Sequence, residues 1–144
     1  MKKFAIIIIC LFLTACTNSS KFSIEKEYYK ESKFVNVESS DIENLKEEKK
    51  SFIVFTYNNY CLLETPCDEI FKEVMDKYNI SFLYLPYEEM KNTFIYDKVK
   101  IAPSVILIKE GNIVAYLNAE SNEDLPKYQN AEEFDKWLTS YINT

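Results

Sequence analysis

Histidine and arginine are both missing from this sequence, and glycine occurs once, at Gly111. Without histidine the chain cannot assemble a Ser-His-Asp triad, a Cys-His nucleophile or a His-ligated metal centre. With no arginine, all 17 basic residues are lysines, set against 23 acidic residues for a net charge of −6. A surface of that sign disfavours nucleic acid as a partner and is repelled by anionic lipid. Long apolar runs are scarce too: the run over residues 4–13 falls short of the roughly 20 residues a membrane-spanning helix needs. Apolar and aromatic side chains are plentiful, at 47% and 15%, enough to pack the core of one domain.

The apolar run follows Met1-Lys2-Lys3 and leads into Leu13-Thr14-Ala15-Cys16. A short basic segment, an apolar stretch and small residues before a cleavage point are the parts of an export signal. Leu13-Thr14-Ala15-Cys16 resembles the lipobox of bacterial lipoproteins, which implies removal of residues 1–15 and a lipid on Cys16. The expected organisation is a signal peptide over residues 1–15, a lipid-anchored polar tether over residues 16–32 and one domain over residues 33–144. The domain is then held at the cell membrane on its extracytoplasmic side. Losing Lys2 and Lys3 leaves 15 lysines against 23 acidic residues, a net −8, so attachment rests on the lipid alone. Of four cysteines, Cys10 departs with the signal and Cys16 is lipidated. Cys61 and Cys67 remain as a pair outside the cytosol, where no glutathione pool keeps thiols reduced.

Periodicity outlines the domain. Residues 33–37 alternate as a short strand, and Ser40 caps a helix over residues 41–49. Phe52 to Tyr57 is a continuous apolar and β-branched run, the mark of a strand buried on both faces. Thr65-Pro66-Cys67-Asp68 starts a second helix, with threonine as cap and proline at the first helical position. Ile70, Phe71, Val74, Met75 and Tyr78 give that helix its apolar stripe. A strand over residues 80–85 and a helix over residues 87–96 follow. Strands over residues 104–108 and 112–117 flank Gly111, whose freedom at positive φ suits a tight hairpin. Residues 118–129 read as an acidic loop, and Asn130 caps a last helix with Ala131, Phe134, Leu138 and Ile142 inward. The order β-α-β-α-β-α-β-β-α predicts an α/β fold, a central mixed sheet flanked by helices on both faces.

Cys61 and Cys67 lie between the buried strand and the second helix. Within one helix they would stand about 9 Å apart in rise on nearly opposed faces, beyond the roughly 7 Å reach of an unstrained disulfide. Thr65 and Pro66 make residues 61–65 a loop, so Cys61 can fold back onto the first helical turn. The ring closed by such a bond is small and gains little from loop closure, which weakens a purely structural role. As the second residue of the helix, Cys67 would have its thiolate stabilised by free amides and the dipole. Tyr57 and Tyr60 offer aromatic walls to a docking polypeptide.

Residues 33–143 resemble a thioredoxin-fold protein in element order and in three local segments. Val54-Phe55-Thr56-Tyr57-Asn58-Asn59-Tyr60-Cys61 is similar to the approach to that family's nucleophilic cysteine. Val99-Lys100-Ile101-Ala102-Pro103-Ser104 is similar to its cis-proline segment, and Lys109-Glu110-Gly111-Asn112 to its closing hairpin. The resemblance implies that Pro103 is cis beside the cysteines and that the backbone of Ala102 pairs with an extended substrate. It also implies attack by Cys61 with Cys67 resolving, whereas helix-end electrostatics favour Cys67; both readings stand. The departures are concrete: five residues separate the cysteines where the family has two, the redox loop lacks glycine-proline, and Phe55 occupies the place of the family's buried acid.

Two functions follow from these residues. One is a membrane-anchored thiol–disulfide oxidoreductase acting on exported or cell-surface proteins through Cys61 and Cys67. The other is a non-catalytic binding module of a secretion or surface complex, in which the disulfide only pins a loop. Neither calls for a cofactor or a metal. A peroxidase is disfavoured because peroxidatic sites on this fold use an arginine, and a copper carrier because related ones add a histidine.

Overall fold

The computed structural model describes residues 20–58 and 66–144. Cys16, Tyr60 and Cys61 lie outside the described residues. At the centre is β2 (Phe52–Tyr57), its first five residues buried. On one side it pairs in parallel with β3 (Phe82–Pro86), which pairs in parallel with β1 (Phe34–Asn36). On the other side lies antiparallel β4 (Ser104–Lys109), followed by antiparallel β5 (Asn112–Tyr116). The sheet order is β1-β3-β2-β4-β5. It is the mixed α/β sheet that the alternating pattern predicts.

Because strand side chains alternate between faces, β2 feeds two cores at once. Ile53 and Phe55 join Phe71, Val74 and Met75 of α2 (Cys67–Tyr78) and Phe134 and Leu138 of α5 (Ala131–Tyr141). Phe52 and Val54 join Ile42 of α1 (Ser39–Glu47), Met90 of α3 (Tyr87–Met90) and Ile95. Burying a side chain of this size contributes about 1.5–3 kcal/mol, so the strand that supplies both layers anchors the fold.

Local chemistry explains the helix ends. Asn130 accepts from the amides of Glu132 and Glu133 and caps α5, as its residue type leads one to expect. At α1 the cap is Glu38 rather than Ser40: its carboxylate takes the Asp41 amide while the Asp41 carboxylate takes the Glu38 amide. The hairpin turns through Glu110 (φ 49°) and Gly111 (φ 75°). Gly111 is also a point of close approach, since a Cβ there would lie 2.7 Å from the Lys46 carbonyl oxygen.

Four features depart from the sequence reading. The chain expected as a tether over residues 16–32 packs from Phe22 onward, with Phe22 and Ile24 7% and 3% exposed. The helix expected over residues 87–96 is broken into α3 and a 3-10 turn (Phe94–Asp97), because the Thr93 hydroxyl donates to the Met90 carbonyl and accepts from the Ile95 amide. The expected loop over residues 118–129 ends in α4 (Leu125–Gln129), which buries Tyr128. Cys67, expected as the second helical residue, is the first, with Pro66 in the cap position.

Candidate functional site

The carboxyl ends of β2 and β3 and the start of β4 meet at one pole of the sheet, where Thr56 pairs with Ser104 and Tyr57 with Pro86. Cys67 opens α2 at this pole and is 3% exposed, within the core layer shared by Phe71 and Tyr128. Asp68 and Glu69 stand in the same first turn. Sequence reasoning places Cys67 at a helix start, and the structure does so too.

Beside it runs the segment before β4. The Ala102–Pro103 peptide bond is cis. Two side chains hold this segment from either side: the Asn58 amide donates to the Ala102 carbonyl at 2.9 Å, and the Tyr128 hydroxyl donates to the Pro103 carbonyl at 2.9 Å. Tyr128 also meets the Phe71 ring edge-on, with centroids 5.6 Å apart. Phe71 lies one turn after Cys67, so Tyr128 spans the distance between the head of α2 and Pro103. Among the described residues no group accepts from the Ala102 amide, and Ala102 is half-buried. Among the described residues its backbone donor is thus unengaged, while its carbonyl is taken by Asn58.

Tyr57 extends the aromatic wall expected of it, by a partner that sequence reasoning missed. Its ring stacks on Tyr84 with centroids 3.8 Å apart and planes 9° from parallel. Phe55, paired with Tyr84 across β2 and β3, lies 5.4 Å from the same ring and 5.2 Å from Phe71. The place of a buried acid is thus filled by hydrocarbon. Burial first, and then the neighbouring Tyr57, Asp68 and Cys67, push the Tyr84 phenol up to about 12. Tyr84 therefore stays neutral and can donate a proton in a hydrogen bond throughout the physiological range. On the opposite face of β2 the Thr56 hydroxyl is fully buried and has no hydrogen-bond partner among the described residues. Strand alternation, which puts Phe82, Tyr84 and Pro86 on one face, could have flagged Tyr84; Asn58 and Tyr128 act through tertiary contacts and left no such signal.

The structure thus brings Cys67, Tyr57, Ala102 and Pro103 to one pole; Tyr60, Cys61 and the lipidation position Cys16 are outside the described residues. Among the described residues, no cluster of three or more Cys, Asp or Glu side chains could hold a metal ion. None of their helices is long and apolar enough to cross a membrane.

No family model and no curated protein matches the chain. Solved structures do. A thioredoxin from Schistosoma mansoni is 23% identical with a TM-score of 0.54, covering 77% of this chain and 97% of its own. The thioredoxin NaTrxh from Nicotiana alata is 17% identical with a TM-score of 0.52, covering 78% of this chain and 95% of its own. Thioredoxin O2 from Arabidopsis thaliana is 13% identical with a TM-score of 0.52, covering 78% and 96%. At such identities the likeness is one of architecture, and function is a separate question. By sheet order, helix placement and these neighbours, the chain has a thioredoxin-like fold.

Proposed function

We propose that this chain exchanges thiols and disulfides with exported proteins through Cys61 and Cys67, while lipid on Cys16 holds it on the outer side of the cell membrane. The observation that carries this reading is Cys67 at the head of α2, in one pole with the Ala102–Pro103 segment. A helix N-terminus is where a thiolate is stabilised, and an open backbone donor at Ala102 is what an extended peptide needs to add as a strand. The thioredoxin-like fold agrees with the chemistry without requiring it.

In the reducing direction, a thiolate of the pair attacks one sulfur of a client disulfide, forming a mixed disulfide and expelling the other client sulfur as thiolate. The second cysteine of the pair then attacks the mixed bond, releasing the first client sulfur. The client gains two electrons and two protons, and the pair ends as a disulfide. The oxidising direction reverses each step. With Phe55 in place of an acid, the described groups left to move the proton are Asp68 in the first turn of α2 and the Tyr84 phenol, together with solvent.

Burial of Cys67 at 3% exposure favours a second reading, a binding module whose cysteine pair only pins a loop. One experiment separates the two. Cys61→Ser and Cys67→Ser chains are expressed at the membrane, and covalent adducts are sought on non-reducing gels and identified by mass spectrometry. Exchange requires at least one variant to accumulate adducts that reductant releases. If neither traps a partner and the parent pair titrates below about −300 mV, the bond is structural.

A further inference from the structure

The N-terminal strap, residues 22–32, is bound at the pole of the sheet opposite to Cys67. The Phe22 amide donates to the Tyr141 carbonyl at 2.9 Å and the Asn143 amide to the Phe22 carbonyl at 2.8 Å. The Tyr29 hydroxyl donates to the Asn143 carbonyl at 2.7 Å. Glu25 closes on the foot of β2, its amide giving to the Ser51 carbonyl at 2.8 Å and its carboxylate taking the Ser51 amide at 3.2 Å. Ser81, at the foot of β3, donates its amide to the Tyr28 carbonyl and its hydroxyl to the Glu31 carbonyl. The described chain therefore enters the domain at this pole.

We infer that the strap sets which way the domain faces: with the chain held at a membrane, the lipid surface meets the strap pole and the Cys67 pole points into solvent. This rests on the membrane anchoring proposed above. Two independent quantities support it, chain length and charge.

Between strap and site stands the length of β2, six residues or about 20 Å. From Cys16 to Phe22 there are six Cα steps, at most about 21 Å when taut. A slack chain of that length averages about 12–15 Å end to end. To bring the Cys67 pole down to the headgroups by inversion, the leash must be fully extended along the flank of the domain. Lying sideways is the remaining alternative, and charge opposes it. Helices α2 and α5 together carry seven acidic residues against three lysines, and α1 three against one. The strap carries two lysines against three glutamates, and residues 48–50, beyond α1, two lysines against one glutamate, so that this pole is balanced as a whole. An anionic bilayer repels both flanks and leaves the strap pole unopposed. The partners that fit are proteins whose disulfides stand about 30–40 Å above the headgroups, the strand length added to the slack or the taut leash. Disulfides flush with the bilayer are out of reach.

The test uses the full chain, lipidated by a bacterial host and reconstituted in vesicles of phosphatidylglycerol and phosphatidylcholine bearing a headgroup energy acceptor. A fluorescent amino acid is placed at Glu47, exposed at the strap end of α1, or at Glu88, exposed in α3 beside Tyr57 and Pro86. Flotation reports anchoring, and energy transfer reports orientation. The donor at Glu47 should be quenched several-fold more than the donor at Glu88, with the contrast narrowing in high salt as repulsion is screened. Flotation with equal or reversed quenching overturns the orientation while leaving the anchor standing. Failure to float removes the anchor, and the inference with it.

Discussion

Replacing Phe22 with alanine tests whether the strap belongs to the fold. Phe22 is 7% exposed in the core layer of α2 and α5, and its amide and carbonyl both bond to the C-terminal tail. Emptying a fully enclosed phenylalanine site costs about 3–5 kcal/mol. Phe22 sits at the margin of its layer, where water can refill part of the space, so about 2–3 kcal/mol is expected. For a domain of this size that lowers Tm by about 6–15 °C. Urea unfolding followed by far-UV circular dichroism should show an earlier midpoint with an unchanged slope, the sign of lost stability without a change in the surface exposed. Ile24→Ala, 3% exposed, should behave alike, and Lys21→Ala, at an exposed position, should not. A Phe22→Ala protein within about 0.5 kcal/mol of the parent refutes the reasoning, because surface changes lie in that range. Residues before 33 would then be a tether after all.

Gly111→Ala should cost about 1–3 kcal/mol, since φ is +75° and the new methyl would meet the Lys46 carbonyl; an unchanged thermal melt would show that the end of α1 yields. Asn130→Ala strips the acceptor from two amides of α5 and should cost about 1 kcal/mol in denaturant unfolding, with Asn130→Asp restoring it. Stability should also fall in alkali. Tyr28 is pushed up to about 12 by burial and then by Glu27 and Glu25, and Tyr84 to about 12 by burial and its neighbours. The fold favours both neutral phenols, so their contribution is complete below pH 10 and is lost as pH rises towards 12. A Tyr28→Phe, Tyr84→Phe double variant should flatten the unfolding free energy across that window, and an unaltered slope would count against the assignment.

The sheet was legible because burial leaves a plain mark on strands. Phe52–Tyr57 reads as a two-sided strand from its unbroken apolar and β-branched run, and the lone glycine marks the hairpin. Cys67 at a helix start was legible in Thr65 and Pro66, whereas a cis Pro103 beside it was an expectation from the thioredoxin-fold resemblance. What was not legible depends on contacts between distant residues. Phe22 and Ile24 sit in a polar stretch whose two apolar residues look incidental until the C-terminal tail pairs with Phe22 and both join the core. Tyr128 lies in an acidic run that composition marks as solvated, and its burial is decided by Phe71 and the Pro103 carbonyl. The break after Met90 turns on one threonine hydroxyl competing with the backbone, a local event that the helical period does not encode.

The two hydrogen bonds that grip consecutive carbonyls at Ala102 and Pro103 have a thermodynamic consequence. A loop fixed in advance gives up little further freedom when a polypeptide settles against it, so less of the contact energy is lost to ordering. Affinity at such an edge can come from a few main-chain bonds rather than from deep side-chain pockets. Under the proposed exchange this predicts tolerance of many client sequences, with choice among them left to geometry and charge.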